Sequence, residues 1–187
     1  MQVSLEHYVW GAGVATDLVN TSPGVWSGVD KLPDPTALEH FLREHQVPPE
    51  RSGSYDATPA DLVAVQQLRG TIRALIDDPD PERLIAGATE LSTPVAALTL
   101  ATDDAGRRGW HAATSTHASL AERLALVCAI GILGVVQTLG AGRFRPCSSP
   151  TCSGVFIDTT RPGSRRYCMP DLCGNRQRVA NHRARRT

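Results

Sequence analysis

Residues 143–187 read RFRPCSSPTCSGVFIDTTRPGSRRYCMPDLCGNRQRVANHRARRT. Cys147, Cys152, Cys168 and Cys173 stand there as C-x4-C-x15-C-x4-C. Two close pairs about fifteen residues apart is a metal-ligand spacing, because a tight turn can offer two thiolates and a hairpin can return the second pair to the first. Val155-Phe156-Ile157 and Arg165-Arg166-Tyr167 are the expected strands of that hairpin, joined by the turn-forming run Asp158 to Ser164. Disulfides would suit a secreted chain. Met1 to Gly11, however, carries Glu6 and no Lys or Arg, unlike a secretory signal. A C-x2-C redox pair does not match the spacing either. The expectation is therefore one Zn²⁺ per chain. It should be structural, since four thiolates close the coordination sphere, and should supply much of the folding energy of its segment.

Charge divides the chain at the same place. The 187 residues hold 19 basic and 19 acidic side chains, yet residues 1–142 carry 9 Lys/Arg against 17 Asp/Glu, and residues 143–187 carry 10 Arg against Asp158 and Asp171. An acidic body of net −8 thus precedes a basic segment of net +8. Such a segment attracts polyanions. It uses Arg without a single Lys, and guanidinium groups fork onto phosphate oxygens and guanine edges. Cys173 to Arg186 has helical character: Arg178, Asn181, His182, Arg185 and Arg186 cover one broad side, and Arg176, Val179 and Arg183 the next. Asn175, Arg176, Arg178, Arg183, Arg185 and Arg186 are the candidate nucleic-acid contacts, and the helix start near Gly174-Asn175 could seat a phosphate. Duller roles exist. The helix could be a solvated end, and Arg143, Arg145 or Arg166 could balance the −2 of a zinc tetrathiolate, which lowers the segment to about +6.

The first 142 residues read as mainly helical. Gly13 to Val19 suggests a short helix. Asp34-Pro35 opens another to about His45, and Thr58-Pro59-Ala60-Asp61 starts a third running to about Ile76. Pro81 to Leu91 suggests a fourth. Val95 to Leu100 and Trp110 to Thr116 flank the turn-rich Asp103-Asp104-Ala105-Gly106 as a β-hairpin. Leu120 to Leu139 is a long helix, apolar nearly all round, which belongs in the middle of a fold. Gly131 and Gly134 within it imply close approach by a neighbour. Its longest apolar run, Leu124 to Val136, is 13 residues, short of the roughly 20 that span a bilayer. Gly140-Ala141-Gly142 marks the domain boundary. The fold class is α+β: a helical domain with a β-hairpin over 1–142, then a four-cysteine finger of hairpin plus C-terminal helix over 143–187.

The tetrapeptide Cys173-Gly174-Asn175-Arg176, the four cysteines, Phe156 and Asp158 after the second, Tyr167 before the third and the Arg-rich end resemble the CGNR zinc finger. Most of that family has tryptophan where Tyr167 stands. Asp17-Leu18-Val19-Asn20-Thr21 and the helix–hairpin–helix order of the body are similar to the ABATE domain. The resemblance implies a bacterial, actinobacterial-type, stress-related transcription regulator.

Asp17 to Thr21 is simplest as a capping or turn cluster. The sharper reading makes Asp17, Asn20 and Thr21 part of a pocket for a small-molecule effector. His40, His45, His111 and His117 form no ligand spacing, and no nucleophile elbow, P-loop or dinucleotide fingerprint is present. Cys128, in the apolar run, reads as an inert core residue. The sequence thus points to a cytoplasmic binding protein and not an enzyme, with DNA as partner and no membrane, and leaves room for a homodimer. Its leading reading is a DNA-binding regulator with a sensing or dimerising body. The alternative is a zinc-stabilised interaction module whose basic tail docks on an acidic protein surface.

Overall fold

The computed structural model describes residues 1–49, 54–102 and 106–184, with side chains up to residue 179. The architecture is α+β. In chain order the elements are β1 Gln2–Ser4, α1 Tyr8–Val19, α2 Pro35–Glu44, α3 Pro59–Asp77, α4 Pro81–Leu91, β2 Val95–Thr102, β3 Arg108–Thr114, α5 Leu120–Leu139, β4 Phe144–Pro146, β5 Val155–Ile157 and α6 Asn175–Ala184.

Helix starts follow local chemistry. Asp34, Thr58, Asp80 and Ser119 each accept a backbone N–H at their helix's first turn, and Pro follows directly after the first three. Thr58 with Asp61 and Ser119 with Glu122 complete reciprocal capping boxes. The centre is α5. Leu124, Leu126, Val127, Cys128, Ile132 and Val135 are buried in it, enclosed by α1, α3 and α4. Its 20 residues are long and apolar enough to cross a bilayer, but here they are the core of a body.

α1 crosses α5 backbone to backbone. A Cβ on Gly131 would lie 2.2 Å from the Ala12 amide nitrogen, and one on Gly11 2.4 Å from the Val127 carbonyl oxygen. A Cβ on Gly134 would lie 2.2 Å from that of Tyr8. This contact explains why α1 starts at Tyr8, earlier than the Gly13 that propensity suggests. Glycine weakens an isolated helix, but at Gly11 it is what lets two helices touch.

The sequence hairpin is β2 with β3, and its partner β1 carries too few residues to show a period. β1 extends the sheet to the order β1-β3-β2, all antiparallel, with Val3 opposite Ala112 and Leu98 also opposite Ala112.

The second hairpin differs from expectation. β5 pairs with β4, Phe144 opposite Ile157 and Pro146 opposite Val155, and Arg165 to Tyr167 forms no strand. Both edges of β5 are already taken. β4 covers one. On the other, Asn20 Nδ2 donates to the Val155 carbonyl (2.7 Å), Asn20 Oδ1 accepts the Val155 N–H (3.1 Å) and Thr16 Oγ1 accepts the Ile157 N–H (3.0 Å). Asn20 offers β5 the donor and acceptor that a neighbouring strand would.

Gly140, at φ +83°, ends α5, but it does not separate two cores. Phe144, Val155 and Ile157 are buried in the same apolar cluster as Leu18, Val65, Ile72 and Leu124.

Candidate metal centre and basic helix

Three short-range devices shape the metal segment. The β4–β5 hairpin sets Cys147 beside the following turn, with the Cys147 N–H donating to the Gly154 carbonyl at 2.8 Å. The Cys152 N–H closes the first knuckle onto the Ser149 carbonyl at 3.1 Å. A wide turn over Pro170–Gly174, in which the Cys173 N–H donates to the Met169 carbonyl at 2.8 Å, closes the second. Gly154 has to be glycine, since a Cβ there would lie 2.5 Å from the Cys168 sulfur.

The four sulfurs of Cys147, Cys152, Cys168 and Cys173 lie within 4.8 Å of one another. Cys152 to Cys168 is 3.6 Å, Cys152 to Cys173 3.6 Å and Cys168 to Cys173 3.8 Å. A zinc ion with Zn–S bonds of about 2.3 Å needs tetrahedral edges of about 3.8 Å, whereas a disulfide needs about 2.05 Å. The donor set fits zinc and excludes a disulfide.

Electrostatics agree. Burial, then the Cys152 and Cys147 sulfurs beside it, push the Cys168 thiol up, and Cys173 is pushed up to about 11, chiefly by burial. Such a cluster stays deprotonated through a cation at its centre. Cys147 is shifted down instead: burial opposes this, but backbone N–H groups of Cys168 and Ser149 point at its sulfur and win. Gly154 N–H donates to the Cys152 sulfur at 3.3 Å. One structural zinc is held by these four cysteines.

The comparisons follow the same division. Residues 143–186 match the CGNR zinc finger, and residues 12–135 match ABATE, described as a putative stress-induced transcription regulator. The chain belongs to the ABATE family. No curated protein matches it.

Several arginines of this ABATE protein are engaged internally. Arg143 and Arg145 do not face the thiolates as charge balance would require. Their guanidinium groups lie 3.9 and 3.6 Å from the fully buried Asp158 carboxylate. They also donate to the carbonyls of Thr160 (2.6 Å) and of Gly163 (2.8 Å). Asp158 additionally accepts from the Thr160 hydroxyl (2.6 Å) and the Arg165 N–H (3.0 Å). Burial would raise the Asp158 carboxyl, but these hydrogen bonds and Arg143 hold it below the usual carboxylate range. Arg165 lies over the Phe156 ring, 5.0 Å from its centre, and donates to the carbonyls of Tyr167 and Cys168. Asp158 is thus the hub of the loop between the ligand pairs. Sequence spacing gave it only a place in a turn.

Arg161, Arg166, Arg176 and Arg178 remain exposed. Arg176 and Arg178 sit on the first turn of α6, directly after Cys173. Asn175 donates to the Asp171 carbonyl and accepts from Arg178, so its side chain fixes the helix start and steers Arg178. Among the described residues no ion pair joins Arg176 or Arg178 to the acidic body. The side chain of Arg183, and Arg185 and Arg186 altogether, lie outside the described residues.

Asn20 is occupied by β5. Thr21 Oγ1 donates to the Leu18 carbonyl (2.6 Å) and accepts from Arg69 (3.1 Å). Arg69 in turn grips Asp30 through two bonds of 2.8 and 2.7 Å, a partly buried pair with no sequence signature. Asp17 stands apart. It lines an open cleft of about 700 Å³ between α1 and the metal segment, with Thr160, Ser164, Arg165, Met169 and Leu172. Burial holds its carboxyl above the usual range against the charges of His45, 3.8 Å away, and Arg165. Cys128 is fully buried, and burial raises its thiol far from reactivity.

Proposed function

We propose that this protein is a DNA-binding transcription regulator in which zinc fixes the start of α6 and the arginines of α6 contact the nucleic acid. The observation that carries the reading is the placement of Arg176 and Arg178: exposed, on a helix that leaves a metal ligand, and engaged by no carboxylate among the described residues. Three other finger arginines are spent on Asp158 and carbonyls, so the surface charge is narrower than the +8 of composition suggests. Phosphate contacts supply affinity and base edges supply sequence preference. The zinc sphere, closed by four thiolates, has no position for a reacting water, which favours binding over catalysis. The body is the sensing half, and the Asp17 cleft is where a small effector would touch α1 and the metal segment together. An effector found by thermal-shift screening should lose its effect with Asp17→Asn.

The test is a salt titration of DNA binding by the zinc-loaded full chain. Arg176→Ala with Arg178→Ala should weaken binding and flatten the log–log salt slope by about 1.8 if both contact phosphate, with zinc content unchanged. An unchanged slope and affinity would favour the alternative, a basic interaction module for acidic proteins.

A further inference from the structure

Among the described residues, β2 is the outer strand of its sheet and pairs only with β3. Its eight residues, VAALTLAT, include no charge and no proline, the usual devices that keep an open edge from pairing. The apolar side chains also lie on the wrong side for an isolated monomer. Val3, Ala112 and Leu98 form one row across the sheet, and Leu100 stands opposite Trp110 on that same side. Val3 and Ala112 are buried against the body, so this is the core-facing side. Yet Leu98, Leu100 and Trp110 are 63%, 55% and 55% exposed. The hairpin overhangs the body and leaves part of its inner face uncovered.

We infer that a second copy of this chain covers it, with β2 pairing antiparallel to the β2 of its partner about a two-fold axis. Residues directly opposite in an antiparallel pair point to the same face, so the axis must lie between one residue and its own counterpart, not level with the bond between two successive residues. The strand supplies a centre for it. Ala97-Leu98-Thr99-Leu100-Ala101 is a palindrome about Thr99. An isologous interface uses the same patch of both copies, and of the possible centres only Thr99 sets both leucines of β2 opposite leucines. Centred on Thr99, the pairing sets each Leu98 opposite the partner's Leu100. Trp110, Leu100, the partner's Leu98 and the partner's Ala112 then make one apolar row across the joint, and the two-fold repeats it.

Charge gives the interface a signature of its own. The strand carries no charge, and the full chain is formally neutral, its −8 body offset by its +8 finger, so no net repulsion between copies waits to be screened. Dimerisation should therefore depend little on salt, whereas binding to nucleic acid weakens with it. The inference stands independently of the reading of α6.

The test is sedimentation of the zinc-loaded full chain over a range of concentrations at low and high salt. The mass should rise with concentration from 20.0 kDa toward twice that value, to a similar extent at low and high salt. Leu98→Lys with Leu100→Lys, or the milder Leu98→Ser should the double variant fail to fold, should raise the dissociation constant about tenfold or more. Circular dichroism and zinc content should stay unchanged. A wild-type chain monomeric throughout overturns the inference and leaves the edge to a strand from another protein. So does a folded variant that dimerises as the wild type does. A wild-type chain that dimerises but does not bind DNA would count against the reading of α6 alone.

Discussion

In the body, α5 buries Leu124, Leu126, Ile132 and Val135 among side chains that are themselves apolar, and the order of the backbone is shared over many contacts. In the finger, the buried positions around the ligands are three cysteines and Phe156, with the partly buried Cys152, Tyr167 and Met169 against them. A single carboxylate, Asp158, organises the loop between. The first region is held by packing, where each side chain contributes a little. The second is held by a few strong local interactions, where one loss removes most of the order. The seam joins the two designs: β5 gives its backbone to β4 on one side and to Thr16 and Asn20 on the other, and its apolar side chains to the body's core.

The largest effect should come from a ligand. Cys168→Ser should abolish tight zinc binding and unfold the finger, because structural zinc sites of this size draw roughly 10–16 kcal/mol from the metal at neutral pH. Elemental analysis and far-ultraviolet circular dichroism check this, and α5 should remain helical. Next is the hub. Asp158→Ala leaves the largely buried Arg143 without its carboxylate, while Arg145 can turn to water, so the cost should stay at or below the roughly 3 kcal/mol of a fully buried broken pair. The Asp158 carboxyl is held below its unfolded value. Its contribution is therefore complete above the unfolded carboxylate pKa of about 3.9 and is lost as pH falls through the folded one. An acid titration of finger order should show that limb in the wild type and less of it in the variant.

The smallest effects separate two glycines of the body. Gly131→Ala drives a methyl group into the α1 backbone and should cost about 1–3 kcal/mol or more by overpacking, seen as a lower Tm with zinc retained. Gly13, with nothing within 4 Å of its missing Cβ, should gain about 0.5–1 kcal/mol on becoming Ala. Equal effects at both would deny that α1 and α5 touch through their backbones.

Much of this was legible in the chain. Proline after Asp34, Thr58 and Asp80 gave three helix starts, and the apolar run around Cys128 gave the central helix. The cysteine spacing gave the metal. What escaped it shares one physical character: it depends on partners far apart in sequence. β1 is too short to show a period and exists because β3 offers it an edge. The pairing of Val155–Ile157 with 144–146, and not with 165–167, turns on Asn20, some 135 residues away. Asp158 and Arg165 read locally as turn and strand, but their side chains fold the loop instead. Gly131 and Gly134 pointed to a close neighbour of α5, but Gly11 lay ahead of the helix start read at Gly13, so nothing local marked α1 as that neighbour.

The central claim is that metal holds the finger and packing holds the body, joined at one seam. Hydrogen exchange of the full chain with and without a chelator tests it directly. On zinc removal, amides over 147–174 should lose protection, Val155 and Ile157 should open at the seam, and α5 should keep its slow exchange. Finger amides unchanged without zinc, or α5 opening together with them, would contradict it.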